Sequence, residues 1–139
     1  MSSSDGTAII FNGAGMPFEE TKFPLTKNLG EHEILVKISL STVCGSDLHT
    51  WQGHRSIPTP CILGHEMVGK IVEFGNSVNS DYNGDKLAKG DRIVWSMIVY
   101  CNNCFFCNNN IPQKCTQLFK YGHEKSNEEP YFTGGFAKY

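Results

Sequence analysis

Arginine is scarce in this sequence, long apolar runs are missing, and neither sign of charge is in excess. Arg55 and Arg92 are the only arginines among 139 residues, so no cluster of guanidinium forks is set up for phosphates. Lysine and arginine number 12 against 14 acidic residues, a formal net charge of −2. Nucleic-acid binders carry a basic excess and peripheral membrane proteins a polybasic patch, so neither partner is expected. No apolar stretch approaches the roughly 20 residues that span a bilayer. Met1 to Gly6 is serine-rich and lacks the apolar stretch of an export signal, which points to the cytoplasm. Helical periodicity is scarce too. The 40% hydrophobic content is enough for folding, and a chain of this length buries about two thirds of its unfolded surface. Residues 1–139 are therefore read as one domain.

Strand signals dominate. Thr7 to Phe11 is a short apolar run. Ile34, Val36, Ile38 and Leu40 alternate with their neighbours, the period of a half-buried strand. Met67 to Phe74 is a third candidate, ended by Gly75, and Arg92 to Val99 a fourth, entered through Gly90-Asp91. Asn83-Gly84 is a hairpin signal. Short helices are expected after Cys44, capped by Ser46 or Asp47, and near Cys104 to Asn109. Pro24, Pro58, Pro60, Pro112 and Pro130 are assigned to connections. The expected fold is mostly β, a barrel-like Greek key rather than a βαβ sheet. Gly13-Ala14-Gly15 imitates a dinucleotide-binding loop. Phe18 stands where a third glycine belongs, and Pro17 and Pro24 leave no room for a long helix, so it reads as a turn between strands.

Six cysteines without an export signal suggest metal rather than disulfides. Cys101, Cys104, Cys107 and Cys115 crowd into one short stretch, 101–115. Two-residue gaps let thiolates converge on one ion, and the longer last gap lets the chain return to close a tetrahedron. Four thiolates leave no position for substrate, so structural zinc is the first reading; an iron–sulfur cluster accepts the same ligands. Asn102, Asn103 and Asn108 to Asn110 mark tight turns around them.

A second group is Cys44-Gly45-Ser46-Asp47-Leu48-His49 with Gly64-His65-Glu66. Each residue alone has an ordinary explanation, a buried thiol or a satisfied imidazole. Together they offer a thiolate, an imidazole and a carboxylate beside glycines that permit close approach. A catalytic zinc needs three protein ligands and an open position, and Cys44, His65 and Glu66 are the candidates. Asp47 is either a helix cap or the acceptor behind the far nitrogen of His65. Ser46 and His49, one helical turn apart, either serve the local turn and solvent or form a proton relay. Trp51, Trp95 and Met97 are pocket walls or ordinary core. Cys61 is a spare thiol in a loop or a substitute ligand.

The ordered set resembles the N-terminal part of the zinc-dependent medium-chain alcohol dehydrogenases. It comprises Cys44-Gly45-Ser46-Asp47-x-His49, Gly64-His65-Glu66-x2-Gly69-x5-Gly75-x2-Val78, Gly90-Asp91-Arg92-Ile93, the four cysteines and Gly134-Gly135-Phe136-Ala137. The resemblance implies a GroES-like catalytic domain. It implies catalytic zinc on Cys44 and His65 with Glu66 beside it, structural zinc on the four cysteines, a Ser46–His49 relay and Asp47 behind His65. It also implies hydride exchange between a small alcohol or carbonyl compound and NAD(P). Pro112-Gln113-Lys114-Cys115 with Leu118 to His123 resembles a subgroup associated with phosphonate metabolism. Val78 to Gly90 is longer than the family pattern.

The family continues into a third zinc ligand, a Rossmann domain and completing strands, whereas this sequence ends at Tyr139. The expectation is an incomplete catalytic domain with little turnover alone, working as a homo-oligomer or with a Rossmann-domain polypeptide. The alternative is a non-enzymatic zinc-binding or partner-binding module.

Overall fold

The computed structural model describes residues 5–26 and 28–139. It is mostly β, 31% strand and 10% helix. In chain order the elements are β1 (Asp5–Phe11), β2 (Glu19–Pro24), β3 (Ile34–Ser41), α1 (Gly45–Trp51), β4 (Cys61–Ile62) and β5 (Met67–Phe74). They continue with β6 (Arg92–Val94), β7 (Ile98–Val99), α2 (Phe105–Asn108) and β8 (Phe119–Lys120). A 3-10 turn, Pro112–Lys114, precedes β8.

The strands form two three-stranded sheets, β2-β1-β4 and β3-β5-β6, and a ribbon of β7 and β8. Every pairing among them is antiparallel. The C-terminal segment stitches the sheets together. Lys138 donates its N–H to the Thr7 carbonyl, and its own carbonyl accepts from Ile38 N–H. Phe136 N–H reaches Leu63 O, and Gly135 N–H reaches Gly64 O. This crossing tolerates no side chain at Gly134, where a Cβ would overlap the Ile62 carbonyl. Ala8, Ile10 and Ile62 form one buried cluster under Phe23, Phe132, Phe136 and Ala137. Phe11, Cys61 and Leu63 form a second against Ile57 and Phe136. Removing this apolar surface from water is the main stabilising term, and both clusters hold the Cys61–His65 stretch in place.

The structure alters several expectations. The run Arg92 to Val99 is not one strand: β6 ends at Val94 and pairs with β5, while β7 pairs with β8. Strand β2 carried almost no apolar signal, because its edge position leaves only Thr21 and Phe23 turned partly inward. Pro24 is its last residue and Pro112 opens the 3-10 turn, so neither lies in a plain connection. Pro24 fits because an edge strand need not donate outward. Gly13-Ala14-Gly15 is the turn between β1 and β2, with Gly13 and Gly15 at positive φ. Around Asn83-Gly84, Asp81 Oδ1 accepts the N–H of Asn83 and of Asp85, and Ser80 bridges to Lys86. The extension is a hairpin organised by Asp81.

Candidate metal sites

The four-cysteine lobe is built from tight turns. Cys104 is the N-cap of α2, and Asn102 and Asn110 take left-handed φ values of 60° and 59°. Those turns fold Cys101, Cys104, Cys107 and Cys115 onto one point. Cys104 and Cys107 sulfurs are 3.5 Å apart, Cys101 and Cys115 3.5 Å, and Cys101 and Cys107 3.9 Å. Zn–S bonds of about 2.3 Å in a tetrahedron require S···S edges of about 3.8 Å, so the donor set fits that ion. All six cysteines of the chain are unbridged.

Backbone donors favour anionic sulfur at Cys104 and Cys115. Backbone N–H groups of Cys107 and Thr116 bring Cys104 down to about 6. N–H groups of Cys101 and Gln117, at 3.4 and 3.3 Å from its sulfur, lower Cys115. Burial, followed by the Cys104 and Cys115 thiols, drives Cys107 the other way, to about 12. Four crowded sulfurs cannot all ionise without a cation among them.

The second site is assembled from distant segments. Cys44 is the N-cap of α1, with extended backbone at φ −85° and ψ 157°. The cap is thus Cys44 and not Ser46 or Asp47. Asp47, at the third helical position, reaches back: its Oδ2 accepts the Cys44 N–H at 2.9 Å. Its Oδ1 accepts the Gly64 N–H at 3.2 Å and lies 3.5 Å from His65 Nδ1. One buried carboxylate therefore ties α1 to the Gly64–His65 turn. His65 is buried, and Nδ1 has no hydrogen-bond partner; Nε2 lies 3.2 Å from Ser46 Oγ. Ligand atoms of Cys44, His65 and Glu66 lie within 4.8 Å of one another. Glu66 is exposed, and its Oε2 accepts from Thr42 Oγ1 at 2.5 Å. A soft sulfur, a carboxylate and an imidazole whose Nδ1 faces the Asp47 carboxylate converge here, a donor set that suits zinc.

Two of the surrounding residues, Cys61 and Trp51, depart from the sequence reading. Cys61 is no ligand or loop thiol: it lies in β4, fully buried, and burial pushes it up to about 12. Trp95 lines a half-open pocket of 590 Å³ with Glu33, Met67, Tyr121 and Phe132, which none of Cys44, His65 and Glu66 lines. Trp51 ends α1 and is exposed, while the Met97 carbonyl accepts from Tyr121 N–H. His49 is exposed on α1, its ring 5.9 Å from that of His54.

Thr42 and His123 went unassigned in the sequence. Thr42 precedes Cys44 by two residues and orients Glu66. His123 lies in the Leu118 to His123 stretch, yet nothing in its spacing places it beside His65. The structure sets the two rings 5.6 Å apart. Gly122 makes this possible, since a Cβ there would sit 2.9 Å from the Gly64 carbonyl. His123 Nδ1–H donates to the Tyr121 carbonyl at 3.0 Å, which leaves Nε2 as its free nitrogen, and burial lowers its pKa.

Comparison with known proteins agrees with this architecture. The alcohol dehydrogenase GroES-like domain family matches residues 30–139. A medium-chain reductase/dehydrogenase of an Acremonium species is 34% identical over 123 residues, 88% of this chain and 40% of that protein. Zinc-type alcohol dehydrogenase B of Aspergillus flavus is 32% identical over 116 residues, covering 83% and 25%. An alcohol dehydrogenase from Thermotoga maritima superposes with a TM-score of 0.85 at 32% identity, over 97% of this chain and 37% of that one. A zinc-binding dehydrogenase from Sinorhizobium meliloti 1021, bound to NADP, gives 0.76 at 27% identity, over 98% and 35%. The chain thus spans between a quarter and two fifths of these relatives.

Proposed function

Since this chain belongs to the zinc-type medium-chain alcohol dehydrogenases through its GroES-like domain, we propose that residues 1–139 are the metal-bearing catalytic part of such an enzyme. Its reaction is the interconversion of a small alcohol and its carbonyl form, with NAD(P) taking or giving hydride. The observation that carries this reading is the convergence of Cys44, His65 and Glu66 in front of the Asp47 carboxylate.

Cys44, His65 and Glu66 would hold the catalytic zinc, and Cys101, Cys104, Cys107 and Cys115, within residues 101–115, the structural one. Zinc bound at the first site supplies Lewis acidity that makes an alcohol hydroxyl easier to ionise. The chain's own residues do the rest. Asp47 keeps the proton on Nδ1 and the lone pair on Nε2, fixing the tautomer of His65. Ser46 Oγ, next to Nε2, takes up the hydroxyl proton and passes its own on. His49 stands one turn further along α1 on the same helix face and releases the proton to solvent. Thr42 Oγ1 donates to Glu66 Oε2 and so orients that carboxylate.

NAD(P) would be held by a Rossmann-bearing polypeptide that complements this domain, and a homo-oligomer is the alternative assembly. The 139 residues alone are expected to give little or no NAD(P)-dependent turnover. Six unbridged cysteines suit a reducing, cytoplasmic compartment. The stretch Pro112 to His123 makes the phosphonate-associated subgroup our choice within the family. Zinc analysis of protein purified without added metal tests the site. The expected result is about two ions per chain, falling to about one in His65→Ala. About one ion in the unaltered protein overturns the catalytic reading and favours a non-enzymatic zinc module.

A further inference from the structure

The three donors of the second site are held in different ways. His65 is buried, with the Asp47 carboxylate behind its ring. Cys44 caps α1 and gives its N–H to the same carboxylate. Within the described residues Glu66 is exposed and held by hydrogen bonds rather than by burial. Glutamate is among the side chains that lose most rotamer freedom when they are fixed. A glutamate that joins two anchored donors therefore needs something to aim it.

That hold comes from the end of β3. The Glu66 carbonyl accepts the Thr42 N–H at 3.1 Å and the Ser41 hydroxyl at 3.3 Å. Gly135 closes against Ser41, since a Cβ there would sit 2.6 Å from the Ser41 hydroxyl. The main chain of Glu66 is thus clamped to two consecutive residues. The Thr42 hydroxyl then donates to Oε2 at 2.5 Å, the length of a strong, charge-assisted bond to a carboxylate. A β-branched side chain is stiff at χ1, so this hydroxyl is aimed once the Thr42 backbone is fixed. A carboxylate has about four lone-pair sites on its two oxygens, so one bond to a hydroxyl leaves room for a metal. Thr42 stands two residues before Cys44. One short segment therefore supplies the thiolate and aims the carboxylate.

We propose that Thr42 is a positioning residue that sets the metal affinity of this site. Its hydroxyl keeps Glu66 in the pose from which it joins Cys44 and His65 on one ion. The proposal rests on the reading of those three residues as zinc ligands and adds to it the group that governs the third. Groups that hydrogen-bond a metal ligand from outside raise affinity by fixing its orientation.

The test titrates cobalt(II) into the 139-residue chain whose four-cysteine lobe already holds zinc, so that visible absorption reports the second site. Thr42→Val keeps the shape and removes the hydroxyl, and it should weaken binding by about tenfold. Thr42→Ser keeps the hydroxyl and should retain most of the affinity. In a Glu66→Ala chain, Thr42→Val should have no further effect, because no carboxylate remains to be held. A merely structural role for Thr42 would persist in that background. No second-site binding by the unaltered chain overturns the ligand reading and this proposal with it. Three other outcomes overturn the proposal alone: binding that Thr42→Val leaves unchanged or tightens, a loss in Thr42→Ser as full as in Thr42→Val, or equal weakening by Thr42→Val in the Glu66→Ala chain.

Discussion

The two candidate metal sites are made in opposite ways. The four-cysteine lobe takes every ligand from 101–115 and bends them together with two left-handed asparagines and one turn of helix. The Cys44–His65–Glu66 site takes its ligands from a helix cap and a strand-linking turn 21 residues apart, counted from Cys44 to His65. Asp47 is what joins them. The lobe is a local object that adds little to the core, since α2 buries none of its residues. The other site depends on the two hydrophobic clusters and on the crossing at Gly134 and Gly135. The difference teaches where each site fails: one by losing metal, the other by losing packing.

Chelation should produce the largest effect. Structural zinc in small cysteine sites contributes roughly 10 kcal/mol or more to local folding, so stripping it should unravel residues 101–115. Loss of amide protection confined to that stretch, with β1 and β5 still protected, would sharpen the contrast. Simultaneous loss everywhere would break it.

Gly134→Ala comes next. Its Cβ has no room against the Ile62 carbonyl, and such backbone clashes cost about 3 kcal/mol or more. Denaturant unfolding should show that loss, and cobalt loading should fail at Cys44 while still filling the lobe. Unchanged cobalt spectra at both sites would remove the dependence on packing.

Asp47→Asn keeps the shape but weakens the acceptor behind His65. Metal affinity at the second site should fall by about 10- to 100-fold, with the lobe unaffected. A competition titration resolves the two.

Cys61 gives the smallest effect. Burial raises it from an ordinary 9.0 to about 12, so the folded chain keeps its proton longer than the unfolded one. Its contribution is complete below about pH 9 and drains away as pH rises toward 12. Cys61→Ala should cost about 1–2 kcal/mol at neutral pH and flatten that alkaline decline, as measured by denaturant midpoints across the range.

The strands visible in the sequence were Ile34 to Leu40, by its apolar alternation, and the apolar or β-branched runs Thr7 to Phe11 and Met67 to Phe74. Strand β2 was not visible, because an edge strand with one core face needs only Phe23 as an anchor. The break after Val94 was not visible either, because Trp95, Met97 and Ile98 keep the stretch largely apolar while the chain changes sheets. Cys44, His65 and Glu66 could be picked out as donors by chemistry and family order. Their convergence could not, nor could the placement of His123, since the first depends on Asp47 bridging α1 to Gly64 and the second on the close approach of Gly122 to Gly64.

By itself the sequence determined the lobe: spacing alone brings four thiols within reach of one ion, because turns of two residues have few conformations. It also determined the β character, through period-2 patterning, and the family, through an ordered set of short motifs. Only the tertiary structure decided that Asp47 bridges Cys44 to Gly64, that Cys61 is core rather than ligand, and that the Thr42 hydroxyl meets the Glu66 carboxylate. Each of these depends on register and on long-range crossing, which nearest-neighbour chemistry does not encode.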